Sequence, residues 1–420
     1  MKACLVLLSL LLTSVCTHAD ETARSKADAA QEWRSYVEPL LPIGGRMAAL
    51  MQDSESPQLR QELYRQLFSG ISRAYLGLFL GDPEHPDFVP HDNQASNFLA
   101  PNPDDSYYLA PIAGSGIYRI SGYRGTVRLV DLQIGSGPLL PSGFGMIGPN
   151  LASHDLDSLH IKRDGSFDVI LSAKRPAGYS GDWWPLGPAA SYLLIRQISY
   201  DWLHEVDGRF AIDRLDRPAI RPRPDAGQID ANLRAIPQWT ESWNAFALKW
   251  VNNYQTKGLV NKLYAHDLSA VGGVGAQTYI EGGFEINPDE ALIYETEIPS
   301  ECRYWNVQLN DMLWATIDYT NRQSHLNGHT ARLDKDGKFR AVIAASDPGV
   351  PNWLDSAGYT RGTLLGRWTN CSSSPVPTLT RVKLADVRKY LPAETPLVSE
   401  EARDAAIRLR RKGAQLRRRW

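Results

Sequence analysis

The sequence predicts a mainly β protein with peripheral α-helices: two antiparallel β-sandwich or jelly-roll-like regions joined by a helical segment. Three observations carry that expectation. Two long stretches consist of β-branched or alternating runs separated by Gly, Pro, Asn and Asp clusters. Neither stretch has a helical period between its runs, which argues against a doubly wound parallel sheet. Between them a Pro-rich break is followed by an aromatic stripe at helical spacing. With 420 residues and 43% hydrophobic content, the chain is long enough to bury more than one core.

At the N-terminus Lys2 precedes an apolar run from Ala3 to Val15, and Thr17-His18-Ala19 ends in a small residue. This is the pattern of a secretory signal peptide cleaved near Ala19, too short to span a bilayer. The expected localisation is therefore periplasmic or secreted, and no later segment is long and apolar enough to cross a membrane. Cleavage leaves Cys302 and Cys371, which in an oxidising compartment read first as a disulfide, with two unpaired core thiols or a nucleophilic Cys as the competing readings.

Residues 20–100 read as helical. Trp33, Val37 and Leu40 share one face. Ser56 and Pro57 suit a helix start, and Leu59, Leu63, Leu67 and Ile71 recur at i, i+4. Residues 101–225 form the first β-rich region, with runs at Gly116–Gly122, Thr126–Leu132, Phe167–Leu171 and Tyr192–Tyr200. Residues 226–260 form a helical connector. In it Ile229, Leu233 and Ile236 make one face before Pro237, and Trp239, Trp243, Phe246, Trp250 and Tyr254 make another beyond it. Residues 261–395 form the second β-rich region, with runs at Tyr279–Phe284, Ala291–Ile298, Tyr304–Leu309, Phe339–Ala345 and Arg361–Trp368. Residues 396–420 read as a basic helix whose Ala402, Ala406, Leu409, Leu416 and Trp420 would dock while its Arg and Lys face solvent or an anionic membrane surface. No internal repeat and no low-complexity tract is evident.

A formal net charge of -2 speaks against a dedicated nucleic-acid binder. There is no G-x-S-x-G nucleophile elbow and no phosphate-binding glycine loop in a strand-to-helix setting. His325 and His329 have the spacing of a helical zinc pair, but Asn327 and Gly328 between them read as loop, so no metal and no cofactor is expected. Asp334-Lys-Asp-Gly reads as a β-turn rather than a calcium loop.

Two clusters have the residue types that site chemistry uses. Asp104 and Asp105 precede Tyr107 and Tyr108, and neighbouring carboxylates can be driven to different pKa values, as acid–base catalysis requires. Trp305, Tyr319, Asn321, Asn352, Trp353, Asp355 and Arg367 are types that stack on rings and bond hydroxyl or carboxylate groups. The bland alternatives are turn-capping Asp residues and a buried polar network that pins the sheet.

The C-terminal region resembles the bacterial family called domain of unknown function 1214. The likeness is carried by YWNVQL from Tyr304, DYTNRQS from Asp318, DPGVPNWLD from Asp347 and the strand ending at Arg367. PNPDDSYYLAPI, IYRISGYRG and LLIRQISYDW are similar to segments that precede that domain. The resemblance implies sandwich or jelly-roll architecture with peripheral helices and no settled activity.

These readings converge on an exported protein that binds or transforms a small hydroxylated or cyclic ligand, such as a sugar, lactone or steroid-like compound, between its β regions. Trp305, Tyr319 and Trp353 would wall the site with Tyr107, while Asn321 and Asn352 would orient the ligand. Arg367 would hold an anionic group, and Asp104, Asp105 or Asp355 would supply acid–base function. If it is an enzyme, a hydrolase or other acid–base enzyme is expected. The alternative is a non-catalytic envelope protein that engages a partner or an anionic membrane through its C-terminal helix.

Overall fold

The computed structural model describes residues 28–52, 55–137 and 148–417. The signal peptide expected over residues 1–19, with Cys4 and Cys16, lies outside the described residues, as does Trp420. The chain is helical over residues 28–37 (α1), then forms α2 (Ile43–Ala48) and α3 (Pro57–Phe79). In α3 the hydroxyl of Ser56 accepts from the Leu59 N–H and Pro57 occupies the first turn, where its missing N–H is harmless. Leu59, Leu63 and Leu67 are buried on the face that the i, i+4 spacing predicts, and Ile71 is half-buried.

Among the described residues nine strands follow: β1 (Val89–Pro90), β2 (Asp105–Pro111), β3 (Tyr118–Tyr123), β4 (Leu129–Ser136), β5 (Asn150–Asp155), β6 (Ser166–Ser172), β7 (Asp182–Pro185), β8 (Ala190–Ile198) and β9 (Arg209–Arg214). They make two open sheets of order β1-β2-β8-β4-β5 and β7-β6-β3-β9. Tyr108, Ile120, Val130, Leu132, Val169, Leu193 and Ile195 form the core that both sheets share.

A long helix, α4 (Ala226–Thr256), leads to the second set: β10 (Tyr264–His266), β11 (Gln277–Glu285), β12 (Glu290–Thr296), β13 (Cys302–Asn310), β14 (His325–Asn327), β15 (Phe339–Ala344), β16 (Trp353–Asp355), β17 (Arg361–Cys371) and β18 (Thr378–Lys383). These form sheets of order β10-β11-β17-β13-β14 and β16-β15-β12-β18. Ile280, Leu292, Val307, Leu309, Phe339, Ile343 and Leu364 lie in their shared core. Cys302 and Cys371 pair across β13 and β17 and form a disulfide.

The sequence suggests no repeat, yet the two β units repeat one another. Adding nine to every strand number of the first unit reproduces both sheet orders of the second. Each unit has one parallel pair, β6 with β7 and β15 with β16, while its other pairs are antiparallel. The register agrees residue by residue: Arg196 lies between Tyr107 and Asp131, and Arg367 lies between Tyr279 and Asn306. Short echoes in sequence follow the same frame. Leu193-Leu194-Ile195-Arg196 matches Leu364-Leu365-Gly366-Arg367, and Asp164-Gly165-Ser166-Phe167 matches Asp336-Gly337-Lys338-Phe339. Gly165 and Gly337 both take positive φ, 81° and 80°, in the turn that starts the corresponding strand, a conformation that glycine reaches without a Cβ clash.

The connector also differs from expectation. Pro237 lies inside a continuous helix rather than between two. Tertiary packing outweighs the lost backbone bond: Trp239, Trp243, Ala247 and Val251 of α4 bury against Phe98, Trp314, and Tyr279 and Leu365 of β11 and β17. The C-terminal helix α5 (Glu400–Leu416) is present, but it docks by another face. Leu409 and Leu416 are 55% and 64% exposed, while Gly413 and Ala414 are buried. Arg403, Arg410 and Arg417 lie with Ala414 at spacings that bring them to the docked side. There Arg403 binds Asp347, and Arg417 donates to the carbonyl of Pro103. Polar demand from the surface beneath the helix decides its orientation, so the apolar stripe faces outward.

Candidate functional site

Strands at the centre of each unit are buried on both faces, as β4 illustrates. One face supplies the shared core. The other face of β2, β8 and β4 turns toward the same face of β11, β17 and β13, so charged and amide side chains that alternate with core residues become buried between the units. A cavity of ≈ 150 Å³ lies there. Asp105, Tyr107 and Arg196 line it from the first unit, and Tyr279, Glu281 and Arg367 line it from the second. Trp243, Phe246 and Trp250 of α4, with Trp314, supply its aromatic wall. Trp250 and Trp314 stack at 5.3 Å between ring centroids.

Both arginines are held in the same way. Arg196 donates through Nη1 to Gln133 Oε1, and Arg367 donates through Nη1 to Gln308 Oε1 at 2.6 Å. Gln133 and Gln308 occupy matching register positions. Arg196 also donates to the Gly272 carbonyl at 3.0 Å and lies 3.6 Å from Asp131 Oδ2. Arg367 donates to the Ala100 carbonyl at 3.2 Å and lies over the Tyr279 ring.

Asp105 faces both guanidiniums. Its Oδ1 is sealed from solvent and has no hydrogen-bond partner. Burial pushes its carboxyl up to about 7, with Arg196, Arg367 and Arg417 opposing the rise. Asp131 is pushed up to about 6, again by burial against the pull of Arg196. At the cavity edge Arg73 is 3% exposed and pairs with Asp92 at 2.9 Å. Burial depresses His91 beside them, and the neighbouring Arg73 charge adds to the effect. Glu281 is engaged by Trp250 Nε1 at 3.2 Å, Tyr254 hydroxyl at 3.1 Å and His266 Nε2 at 3.0 Å.

One residue before Asp105, the carboxylate of Asp104 sits in a closed network. It accepts from the Trp202 indole, the Tyr304 hydroxyl, the Asn327 amide and His325 Nε2, each at 2.8 Å. Arg410 of α5 donates to His325 Nδ1 at 2.8 Å, which places the imidazole proton on Nε2. Burial works against an ionised Asp104, yet His325, Tyr304 and Asn327 hold its carboxyl below the usual value. Burial keeps His325 below its own ordinary value.

Of the residues singled out from sequence, Asp105, Tyr107 and Arg367 meet in the cavity. Asp104 lies behind them in the network. Tyr319 and Asn321 line a separate, more polar groove of ≈ 760 Å³, with Glu62, Asp311 and Tyr359. Trp305 is packed in the second core against Phe339 and Trp368. Asn352 ties Arg332 to Arg340 through backbone bonds, and the Trp353 indole donates to the Ala344 carbonyl. Asp355 pairs with Arg322 at 2.9 Å on β16, in the sheet away from the cavity. The structure thus does not bring Asp355 together with Asp104 or Asp105. Sequence reasoning missed Arg196, Tyr279, Glu281, Gln133 and Gln308. The Leu-Leu-x-Arg echo is the signal that pointed to Arg196.

Among the described residues no group of three or more His, Cys, Asp and Glu side chains could hold a metal, and no helix is long and apolar enough to cross a membrane. No protein-family model and no curated protein matches the chain. Among solved structures the chain is similar to a putative uncharacterized protein from Burkholderia cenocepacia, at 29% identity and a TM-score of 0.77, covering 86% of this chain and 99% of that one. A Vibrio parahaemolyticus protein is similar at 10% identity and a TM-score of 0.43, covering 80% of this chain and 100% of that one.

Proposed function

We propose that the protein binds a small hydroxylated, ring-bearing compound, of the sugar or lactone kind, in the cavity between its two β units. Asp105 serves as the acid–base group where the compound is transformed. The observation that carries this reading is the convergence of Asp105, Arg196 and Arg367 beneath aromatic side chains in one cavity. A concave, partly apolar cavity with a few convergent polar groups suits a small molecule. A carboxyl near neutrality can take or give a proton at working pH. The aromatic wall would stack a ring, and Arg367 would hold an anionic substituent.

Each pair of sheets is read as a jelly-roll-like sandwich. The resemblance of the second unit to the domain of unknown function 1214 family belongs to the same proposal, as does export to the periplasm or beyond. The disulfide is compatible with an oxidising compartment. The membrane-binding alternative has less support, because Arg403, Arg410 and Arg411 of α5 and Arg417 just beyond it already bond to the protein's own groups.

The test is a thermal-shift screen of sugars, sugar acids and lactones against the wild type and Arg367→Gln. Stabilisation of the wild type that disappears in the variant supports the reading. Equal stabilisation of both would move the site elsewhere.

A further inference from the structure

The duplication gives the cavity two versions of one half-site, and the differences between them say how a ligand lies. In both halves the central strand presents an Arg, flanked in register by a Tyr on one side, and two residues back along the strand a Leu faces a Gln. Tyr107, Arg196, Leu194 and Gln133 correspond to Tyr279, Arg367, Leu365 and Gln308. The halves also face one another electrostatically: Arg196 interacts with Tyr279 as well as with Tyr107, and Tyr107 interacts with Arg367 as well as with Arg196.

The positions that differ are those that set charge. Asp131, beside Arg196, corresponds to Asn306, beside Arg367. Asp105 corresponds to Gln277. In the first half Arg196 therefore has a carboxylate neighbour of its own. In the second half Arg367 is 6% exposed, its hydrogen bonds go to the neutral acceptors Gln308, Asn306 and the Ala100 carbonyl, and the Asp105 carboxyl that it shares with Arg196 is pushed up to about 7 by burial. Glu281, the position where the second half carries the acid and the first carries Leu109, already accepts from two donors of α4, Trp250 and Tyr254, and has His266 Nε2 of β10 3.0 Å away. A buried guanidinium with only neutral acceptors gains most from an anion that enters the cavity.

Resting on the small-ligand reading above, we propose that the ligand is a hydroxylated monocarboxylate with one orientation. Its carboxylate sits on Arg367, and its uncharged hydroxyl-bearing end faces Asp105, Asp131 and Arg196. Asn306 and Asp131 are then the residues that decide specificity. The neutral Asn306 leaves Arg367 free to take the anion, and the carboxylate of Asp131 excludes a second anion from Arg196.

The test uses quenching of intrinsic tryptophan fluorescence, because Trp243, Trp250 and Trp314 line the cavity. Four probes are titrated at pH 7: glucuronate, glucose, cyclohexanecarboxylate and cyclohexane-1,4-dicarboxylate. Glucuronate is expected to bind at least about tenfold more tightly than glucose, and the dicarboxylate no better than the monocarboxylate. Asn306→Asp should remove the preference for the acid, as should Arg367→Gln, while Arg196→Gln should retain it. Asp131→Asn should make the dicarboxylate the better ligand. Equal binding of glucuronate and glucose overturns this inference but leaves the small-ligand reading intact, as does loss of the acid preference in Arg196→Gln with its retention in Arg367→Gln. Absence of any response to all four probes overturns both.

Discussion

At the scale of single residues, adjacent carboxylates have opposite electrostatic fates. Asp104 is ionised within four donors, whereas Asp105, one residue on, is held near neutrality by burial. Asp104→Ala should cost about 3–5 kcal/mol in urea unfolding, because it leaves the buried Tyr304, Asn327 and His325 donors without their acceptor. Asp105→Asn should act in the opposite sense above neutral pH. The native state binds the Asp105 proton more tightly than the unfolded chain does. That contribution to stability is fully present below the unfolded carboxyl value, 3.8, and is lost as pH rises through about 7. The variant should therefore be the more stable protein at pH 8 and flatten the stability profile between those values. A wild type no less stable than the variant at pH 8 would contradict the assignment. The Asp104–Asp105 pair was visible in the sequence as two acids that could differ. Which one would ionise depended on His325 and Tyr304, some 200 residues away, and no local pattern encodes that.

Among the elements, the helices and the central strands other than β2 were legible because hydrophobic period and capping are local, whereas the sheet-edge strands, short or partly exposed, were not. Ser56 and Pro57 start α3, and Asp225 caps α4 by accepting from the Gln228 N–H. The exceptions arise where tertiary demand outranks local preference. Pro237 stays inside α4 because Trp239, Trp243, Ala247 and Val251 beyond it are buried together with Phe98, Tyr279 and Trp314, and α5 turns Arg403 and Arg410 inward because carbonyl, carboxylate and imidazole acceptors lie beneath it. Arg410→Ala should cost about 1–3 kcal/mol by leaving the Tyr319 carbonyl and His325 Nδ1 without a donor. Leu409→Ser, on the stripe that the sequence picks as the docking face, should change stability by less than about 0.5 kcal/mol. Chemical denaturation of the two variants side by side separates the two orientations of the helix.

For the whole molecule the governing fact is duplication. It was hidden because only scattered identities survive, Leu-Leu-x-Arg and Asp-Gly-x-Phe among them, while strand order and register persist through substitutions that keep burial. Trp183 and Trp353 hold equivalent places beside β6 and β15, though their flanking residues differ. The candidate site was half legible for the same reason. Motif reading found Arg367 and Tyr107, but their counterparts become visible only when the units are superposed by topology. Because the opposed faces carry Leu109, Leu194, Tyr279 and Leu365 beside buried charges, neither unit has a water-compatible surface there. Residues 28–217 and 218–417 expressed separately should aggregate or stay unfolded, and their co-expression should recover a soluble complex. Two halves that each unfold cooperatively on their own would show that the shared interface is dispensable.

Three of the aromatic side chains over the cavity, Trp243, Phe246 and Trp250, come from one helix at spacings of three and four residues. Their alignment is a matter of helical phase. One residue inserted after Ala247 would rotate everything beyond it by about 100°. Trp250 would swing off Trp314 and release Glu281, while Trp243 stayed in place. An insertion of seven residues, close to two full turns, would return the phase but displace β10 along the helix axis by about 10 Å. The span of α4 is thus fixed twice over, in angle and in length, and drift in its residue count would be penalised even where every inserted side chain is a good helix former.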